Sequence, residues 1–216
     1  MDRKISVQGK FDYFEYLVNK IRGLDGSIVE LGVGAAKSAK FICKALKSQK
    51  TIREYWGFDS FQGFPQPTQE DLTSTKKELK KGYFAKHWCH SQNEAIKKIT
   101  NFCSYPKNHL HLVKGYFSKK LFLKYDKSPI VLLHLDCDLY ESYNISLNFF
   151  YNYVSYGGII AFDEYIDPVN LKEWPGASIA INKWLKTTKY TKSDLFEVNW
   201  NTIEGRCVHK YFLHKI

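Results

Sequence analysis

The stretch Ser27-Ile-Val-Glu-Leu-Gly-Val-Gly34 decides the fold. A short apolar strand runs straight into a Gly-x-Gly turn, and Ser38 to Leu46 beyond it has the spacing of a helix. Strand, glycine turn and helix in this order open a nucleotide-binding α/β unit. Downstream, Glu54 to Phe58 reads as a second strand ending at Asp59, Asn93 to Phe102 as a helix, and Leu110 to Val113 as a strand ending at Gly115. The nearly continuous apolar run Ile130 to Leu135 predicts a central parallel strand covered on both faces. A helix over Ser142 to Tyr153 leads to a buried strand at Ile159 to Phe162, followed by a helix at Ser178 to Lys186. The stretches Leu195 to Trp200 and Val208 to His214 predict a closing antiparallel hairpin. Upstream, Phe11 to Leu24 reads as a helix closed by Gly23 and Gly26. Alternating strands and helices predict one α/β domain over residues 1–216, a doubly wound, mostly parallel sheet with right-handed crossovers. The polar stretch from Gln62 to about Lys86 is long for a loop and is expected to carry some helix or act as a lid.

With 44% hydrophobic and 16% aromatic residues, 216 residues can bury a substantial core. No apolar run reaches the roughly 18 residues of a membrane span, and the N-terminus lacks the apolar core of a signal peptide. A soluble, cytoplasmic protein is expected. Five scattered cysteines (Cys43, Cys89, Cys103, Cys137 and Cys207) form no C-x-x-C pair. They argue for free thiols over a disulfide framework or a zinc site. The formal charge of +10 invites a nucleic-acid partner. The lysines are dispersed, however, apart from Lys76, Lys77, Lys80 and Lys81, which read as a solvated helix face. Attraction for an anionic substrate or a phosphate-bearing carrier is the functional alternative.

In such a sheet ligands bind at the carboxyl ends of the strands. Gly32 and Gly34 let a ligand approach the backbone closely. Asp59 can accept both hydroxyls of a ribose. The G-x-G-x-x-G dinucleotide pattern is broken by Lys37, and no Walker loop is present. Glu30, just before the glycines, suits the ammonium of a methionine-like cofactor better than a pyrophosphate, which points to S-adenosylmethionine.

Two further strand ends are acidic: Asp136 and Asp138 after the central run, and Asp163 and Glu164 after Phe162. Neighbouring strands lie about 4.8 Å apart, so these acids are expected to converge. Two carboxylates about 5 Å apart repel by roughly 3 kcal/mol at an effective dielectric of 20. Either some pKa values rise or a cation sits among them. All-oxygen ligands suit Mg²⁺, with Mn²⁺ or Ca²⁺ as alternatives. The competing reading is that the acids cap the helices that follow.

Asp59-Ser-Phe-Gln-Gly-Phe-Pro65, Gly115-Tyr-Phe117, Leu135-Asp-Cys-Asp-Leu-Tyr-Glu-Ser142 and Gly157-Gly-Ile-Ile-Ala-Phe-Asp-Glu-Tyr165 occur in one order. Together they resemble the macrocin O-methyltransferase family, which methylates sugar hydroxyls, over roughly Ser27 to Leu185. The resemblance implies a class I methyltransferase Rossmann-like fold and a sugar, glycan-precursor or glycosylated-metabolite hydroxyl as acceptor. It also implies homo-oligomers, Asp136, Asp163 and Glu164 as metal ligands, and Asp138 as general base. The cofactor-binding set is expected to be Glu30, Gly32, Gly34, Ser38, Asp59, Ser60, Gly115 and Asp136. The family has Asp-Asp at Asp163-Glu164, Arg-Gly-Gly-Ser at Ala35–Ser38, and a longer N-terminal region, so the acceptor need not be an antibiotic.

Rival readings are a catechol- or phenol-type O-methyltransferase and a non-enzymatic RNA-binding protein on the same fold, which the acidic site would disfavour by repelling phosphates. His134 is expected to be a packed core histidine. His87 and His90 are candidates to touch substrate. Trp174-Pro-Gly176 is read either as an acceptor wall with Tyr165 or as a hydrophobic loop anchor.

Overall fold

The computed structural model describes residues 3–75 and 88–216. The lysine cluster at 76–81, residues 76–86 of the expected lid and His87 lie outside the described residues. Eight strands form one sheet: β1 (Lys4–Ser6), β2 (Ser27–Leu31), β3 (Tyr55–Asp59), β4 (Leu110–Lys114), β5 (Ile130–Leu135), β6 (Val154–Phe162), β7 (Phe196–Asn201) and β8 (Cys207–His214). Their order is β1-β7-β8-β6-β5-β2-β3-β4. The strands β4, β3, β2, β5 and β6 run parallel, and β8 is antiparallel to both β6 and β7. The expected C-terminal hairpin is therefore present, and its second strand, not its first, docks on β6. Strand β1 was not anticipated; three residues with an exposed-intermediate-exposed pattern carry no periodic signal, and β1 exists only by pairing with β7.

Helices cover both faces. On one lie α1 (Lys10–Lys20), α2 (Ala39–Ser48) and α3 (Gln92–Cys103), which bury Tyr13, Phe14, Leu17, Ile42, Leu46 and Ile99 against Ile28, Tyr55 and Leu132. On the other lie α4 (Lys119–Phe122), α5 (Tyr140–Phe150) and α7 (Pro175–Leu185), packed on Leu31, Phe58, Leu133 and Phe162. A short α6 (Asn170–Glu173) joins the last of these to the end of β6. Every residue of β2 and β5 is buried, which is why both read as apolar runs without alternation.

Register aligns the strand ends. Leu31 pairs with both Phe58 and Leu135, and Leu135 pairs with Phe162. The next residue on each strand continues the ladder: the amide of Gly32 donates to Phe58 O (2.8 Å), Asp136 to Leu31 O (2.9 Å), Asp163 to Leu135 O (2.9 Å) and Gly115 to Asp59 O (2.9 Å). Gly32, Asp59, Gly115, Asp136 and Asp163 thus stand in one row along the carboxyl edge.

Candidate active site

A cleft of about 390 Å³ opens above that row. Gly32, Gly34, Ser38, Asp59 and Ser60 line one end, and Asp136, Asp138, Asp163 and Glu164 line the other. At the first end the chain makes two tight turns. Gly32 has φ +91°, and a Cβ there would stand 1.7 Å from Asp136 O, so only glycine fits between the ends of β2 and β5. The Asp59 carboxylate accepts from the amides of Gly34 (2.8 Å) and Phe61 (2.6 Å), which ties the two turns together. Burial nonetheless pushes its pKa up, with those amides opposing the shift. Ser60 Oγ donates to Gly63 O (2.5 Å) and accepts from the amide of Gln62 (3.0 Å), which shapes the loop that follows.

Two residues of the expected cofactor-binding set do not line the cleft. Glu30 is fully buried and does not line the cleft; its oxygens are taken by the Tyr55 hydroxyl and by His134 Nδ1 at 3.0 Å. The cause is strand alternation: Glu30 shares a face with Ile28 and points beneath α1, into the layer under the glycine turn. Gly115 also lies outside the cleft. With φ +152° it turns the chain where a Cβ would stand 2.7 Å from Leu121, and its successors Tyr116 and Phe117 reach the wall instead.

At the acidic end, ligand oxygens of Asp136, Asp138 and Glu164 lie within 4.8 Å of one another, and atoms of His134, Asp136 and Asp163 form a second such group. Burial, then mutual repulsion, raises the pKa of Asp136, and raises those of Asp138 and Glu164 strongly. Asp163 behaves oppositely. Burial alone would raise it, but Lys210, Lys10 and His134 outweigh that and hold it well below the ordinary carboxylate range. Lys210 Nζ is 2.5 Å from Asp163 Oδ2 and 2.7 Å from its backbone oxygen. This leaves Oδ1 without a hydrogen-bond partner, 3.8 Å from the equally unpartnered His134 Nε2. Asp163 therefore offers one oxygen, and Asp138 joins the oxygen cluster that sequence had assigned to Asp163. A crowded all-oxygen set with raised pKa values and an orphaned carboxylate oxygen fits a hard divalent cation.

The loop carrying Asp138 is held from three sides. Asp138 has φ +60°, a strained conformation costing about 1 kcal/mol for an L-residue, and its amide donates to Glu164 Oε2 at 3.3 Å. Glu164 also accepts from the Tyr143 hydroxyl (2.7 Å). The amide of Tyr140 is capped by the buried Asp71 (3.0 Å), which sequence reasoning missed because nothing local marks a cap 69 residues upstream.

His134 is fully buried and packs its ring against Phe14 at 5.1 Å; the facing Asp163 carboxylate and the hydrogen bond to Glu30 overcome burial and raise its pKa to about 9. Near the mouth, Trp174 and Phe64 pack at 5.5 Å and line the cleft with Trp88 and His90. Tyr165 is not part of that wall. It is fully buried and its hydroxyl bonds to Asn182 at 2.8 Å. Lys10 lines the cleft as well, a residue that sequence did not single out.

Compared with solved structures, the chain is similar to the O-methyltransferase NovP (TM-score 0.71, 21% identity, covering 96% of this chain and 80% of that one). It is also similar to the calicheamicin methyltransferase CalS11 (TM-score 0.69, 22% identity, 94% and 77% covered). An O-methyltransferase from Bacillus cereus in complex with SAH gives a TM-score of 0.59 at 10% identity, with 95% and 80% covered. No curated protein sequence matches the chain significantly. The fold is thus the class I methyltransferase, Rossmann-like one, with a C-terminal antiparallel pair. The macrocin-O-methyltransferase (TylF) family model matches residues 8–206, so the chain belongs to that family and is an S-adenosylmethionine-dependent O-methyltransferase. Among the described residues no helix is long and apolar enough to cross a membrane.

Proposed function

We propose that this enzyme methylates a hydroxyl of a sugar, glycan precursor or glycosylated metabolite with the help of a divalent cation, Mg²⁺ by preference. The observation that supports this most is a cleft in which a glycine-Asp59 end adjoins the grouped carboxylates of Asp136, Asp138 and Glu164, with Asp163 beside them. NovP and CalS11, to which the fold is similar, are an O-methyltransferase and a calicheamicin methyltransferase.

In this reading Gly32 and Gly34 leave room for the donor's methionine part, Ser38 and Asp136 flank it, and Asp59 with Ser60 receives the ribose. Asp136, Asp138 and Glu164, whose oxygens lie within 4.8 Å of one another, would hold the cation, and Asp163, implied as a ligand by the family resemblance, offers its unpartnered Oδ1 beside Asp136. A bound cation lowers the pKa of an alcohol and fixes its oxygen. As the acceptor oxygen bonds to the methyl carbon, the carbon–sulfur bond breaks and S-adenosylhomocysteine leaves. The hydroxyl proton goes to the Asp138 carboxylate, whose affinity for a proton burial and Asp136 raise above that of an ordinary aspartate. Trp174 and Phe64 supply an apolar face on which a sugar ring can rest, so that positioning carries much of the rate.

The test is transfer of labelled methyl from S-adenosylmethionine to a panel of nucleotide sugars, free glycans and catechols, with Mg²⁺ or with excess EDTA. Product on a sugar hydroxyl, lost in EDTA and restored by Mg²⁺, is expected. Full activity in EDTA removes the cation, and product only on catechols removes the sugar.

A further inference from the structure

S-adenosylmethionine is a zwitterion at its amino-acid end, so a site for it must offer an anion and a cation. The anions are abundant here, and a carboxylate entering among Asp59, Asp136 and Glu164 would be repelled unless a positive charge met it. Among the described residues two lysines line the cleft, Lys10 and Lys37. Lys37 is exposed and sits on the turn after Gly34, on the outer rim. Lys10 is the first residue of α1, a helix anchored by the buried Tyr13, Phe14, Leu17 and Val18. Its ammonium lies 5.9 Å over the Phe14 ring, which in turn packs against His134. It lines the cleft together with Asp136 and Asp163, and its charge acts on both and on Glu30. Among the described residues no ion pair occupies it. The burial of Glu30 beneath the turn adds to the argument, because of the expected cofactor residues it leaves Asp136 to meet the ammonium, and the carboxylate then needs a cation in the cleft.

We propose that Lys10 is a cofactor-binding residue that pairs with the α-carboxylate of the methionine part of S-adenosylmethionine. The assignment rests on the reading of the cleft as the cofactor site. It also gives α1 a role: the helix covers the core and brings its first side chain to the cleft.

Calorimetry of the purified chain in EDTA tests it without turnover. The ligands are S-adenosylhomocysteine and S-adenosyl-3-thiopropylamine, which keeps the amine and lacks the carboxylate. For Lys10→Met, binding of S-adenosylhomocysteine should weaken about tenfold or more, the scale of one lost charge-assisted contact. Binding of the thiopropylamine should stay within about twofold of wild type, and Lys10→Arg should keep most of the affinity for both. Equal losses for the two ligands would mean a general effect of charge or folding and would overturn the proposal. So would an unchanged Lys10→Met beside a Lys37→Met that weakens only the carboxylate-bearing ligand. A wild-type chain that binds neither ligand would overturn the cofactor reading itself, a result distinguishable from failure of Lys10 alone.

Discussion

Replacing Lys210 by Met should cost more stability than any surface change in this protein. Lys210 and Asp163 are both nearly buried, with side chains 9% and 13% exposed, and their contact lies in the interior between β8 and the end of β6. Removing one partner of a buried pair leaves an uncompensated charge and costs about 3–5 kcal/mol. For a domain of this size each kcal/mol moves Tm by about 2–4 °C, so a drop of roughly 6–20 °C is expected in EDTA. The pH dependence sharpens the test. Asp163 is held below its unfolded pKa, so its stabilisation is present above about pH 4 and disappears only as pH falls further toward the folded value. Burial opposes the charge of Lys210, but Asp163 and Glu164 outweigh it and raise its pKa. Its contribution is thus complete below about pH 10 and disappears only above that. The wild-type pair should therefore contribute evenly from about pH 5 to 9. In the variant only Lys10 and His134 still oppose burial, so the folded pKa of Asp163 rises and the deficit should grow as pH rises toward that value. Urea unfolding across that range reads it. Adding Asp163→Asn should return most of the loss. A deficit below about 1 kcal/mol, flat with pH and unaffected by Asp163→Asn, would refute the reasoning.

Three further outcomes are expected. Asp138→Asn should lower kcat by about 10²–10⁴ while calorimetry finds S-adenosylhomocysteine binding within twofold of wild type, as a lost base requires. Asp59→Ala removes the acceptor of the Gly34 and Phe61 amides and of the proposed ribose contact, so S-adenosylhomocysteine affinity should fall by roughly 10–100-fold. Gly32→Ala forces a Cβ onto Asp136 O and should yield insoluble or strongly destabilised protein, seen as loss of the cooperative melt.

Much of the sheet was legible because its central strands announce themselves. Ile130–Leu135 was bounded to the residue, since full burial on both faces demands an unbroken apolar run between polar turns. The acidic strand ends were legible for a related reason: a carboxylate directly after a buried strand has few places to go except the carboxyl edge. What was not legible was placement that depends on remote contacts. Glu30, expected along the cofactor, is turned by period-two alternation under α1, against Tyr55 and His134. Gly115 and Tyr165 likewise lie in the right segments but do not line the cleft.

Residue order alone determined a βα nucleotide-binding unit, the line of strand ends and a surplus of acid at two of them, because periodicity and turn chemistry are local properties. Only the folded chain decided how those acids divide. Lys210, on a strand that begins 44 residues after Asp163, claims one oxygen of that carboxylate, and Asp136 and Glu164 group with Asp138. Electrostatics depends on distance in space, and that distance is set by which strand docks beside β6 and by where α1 lays its first lysine.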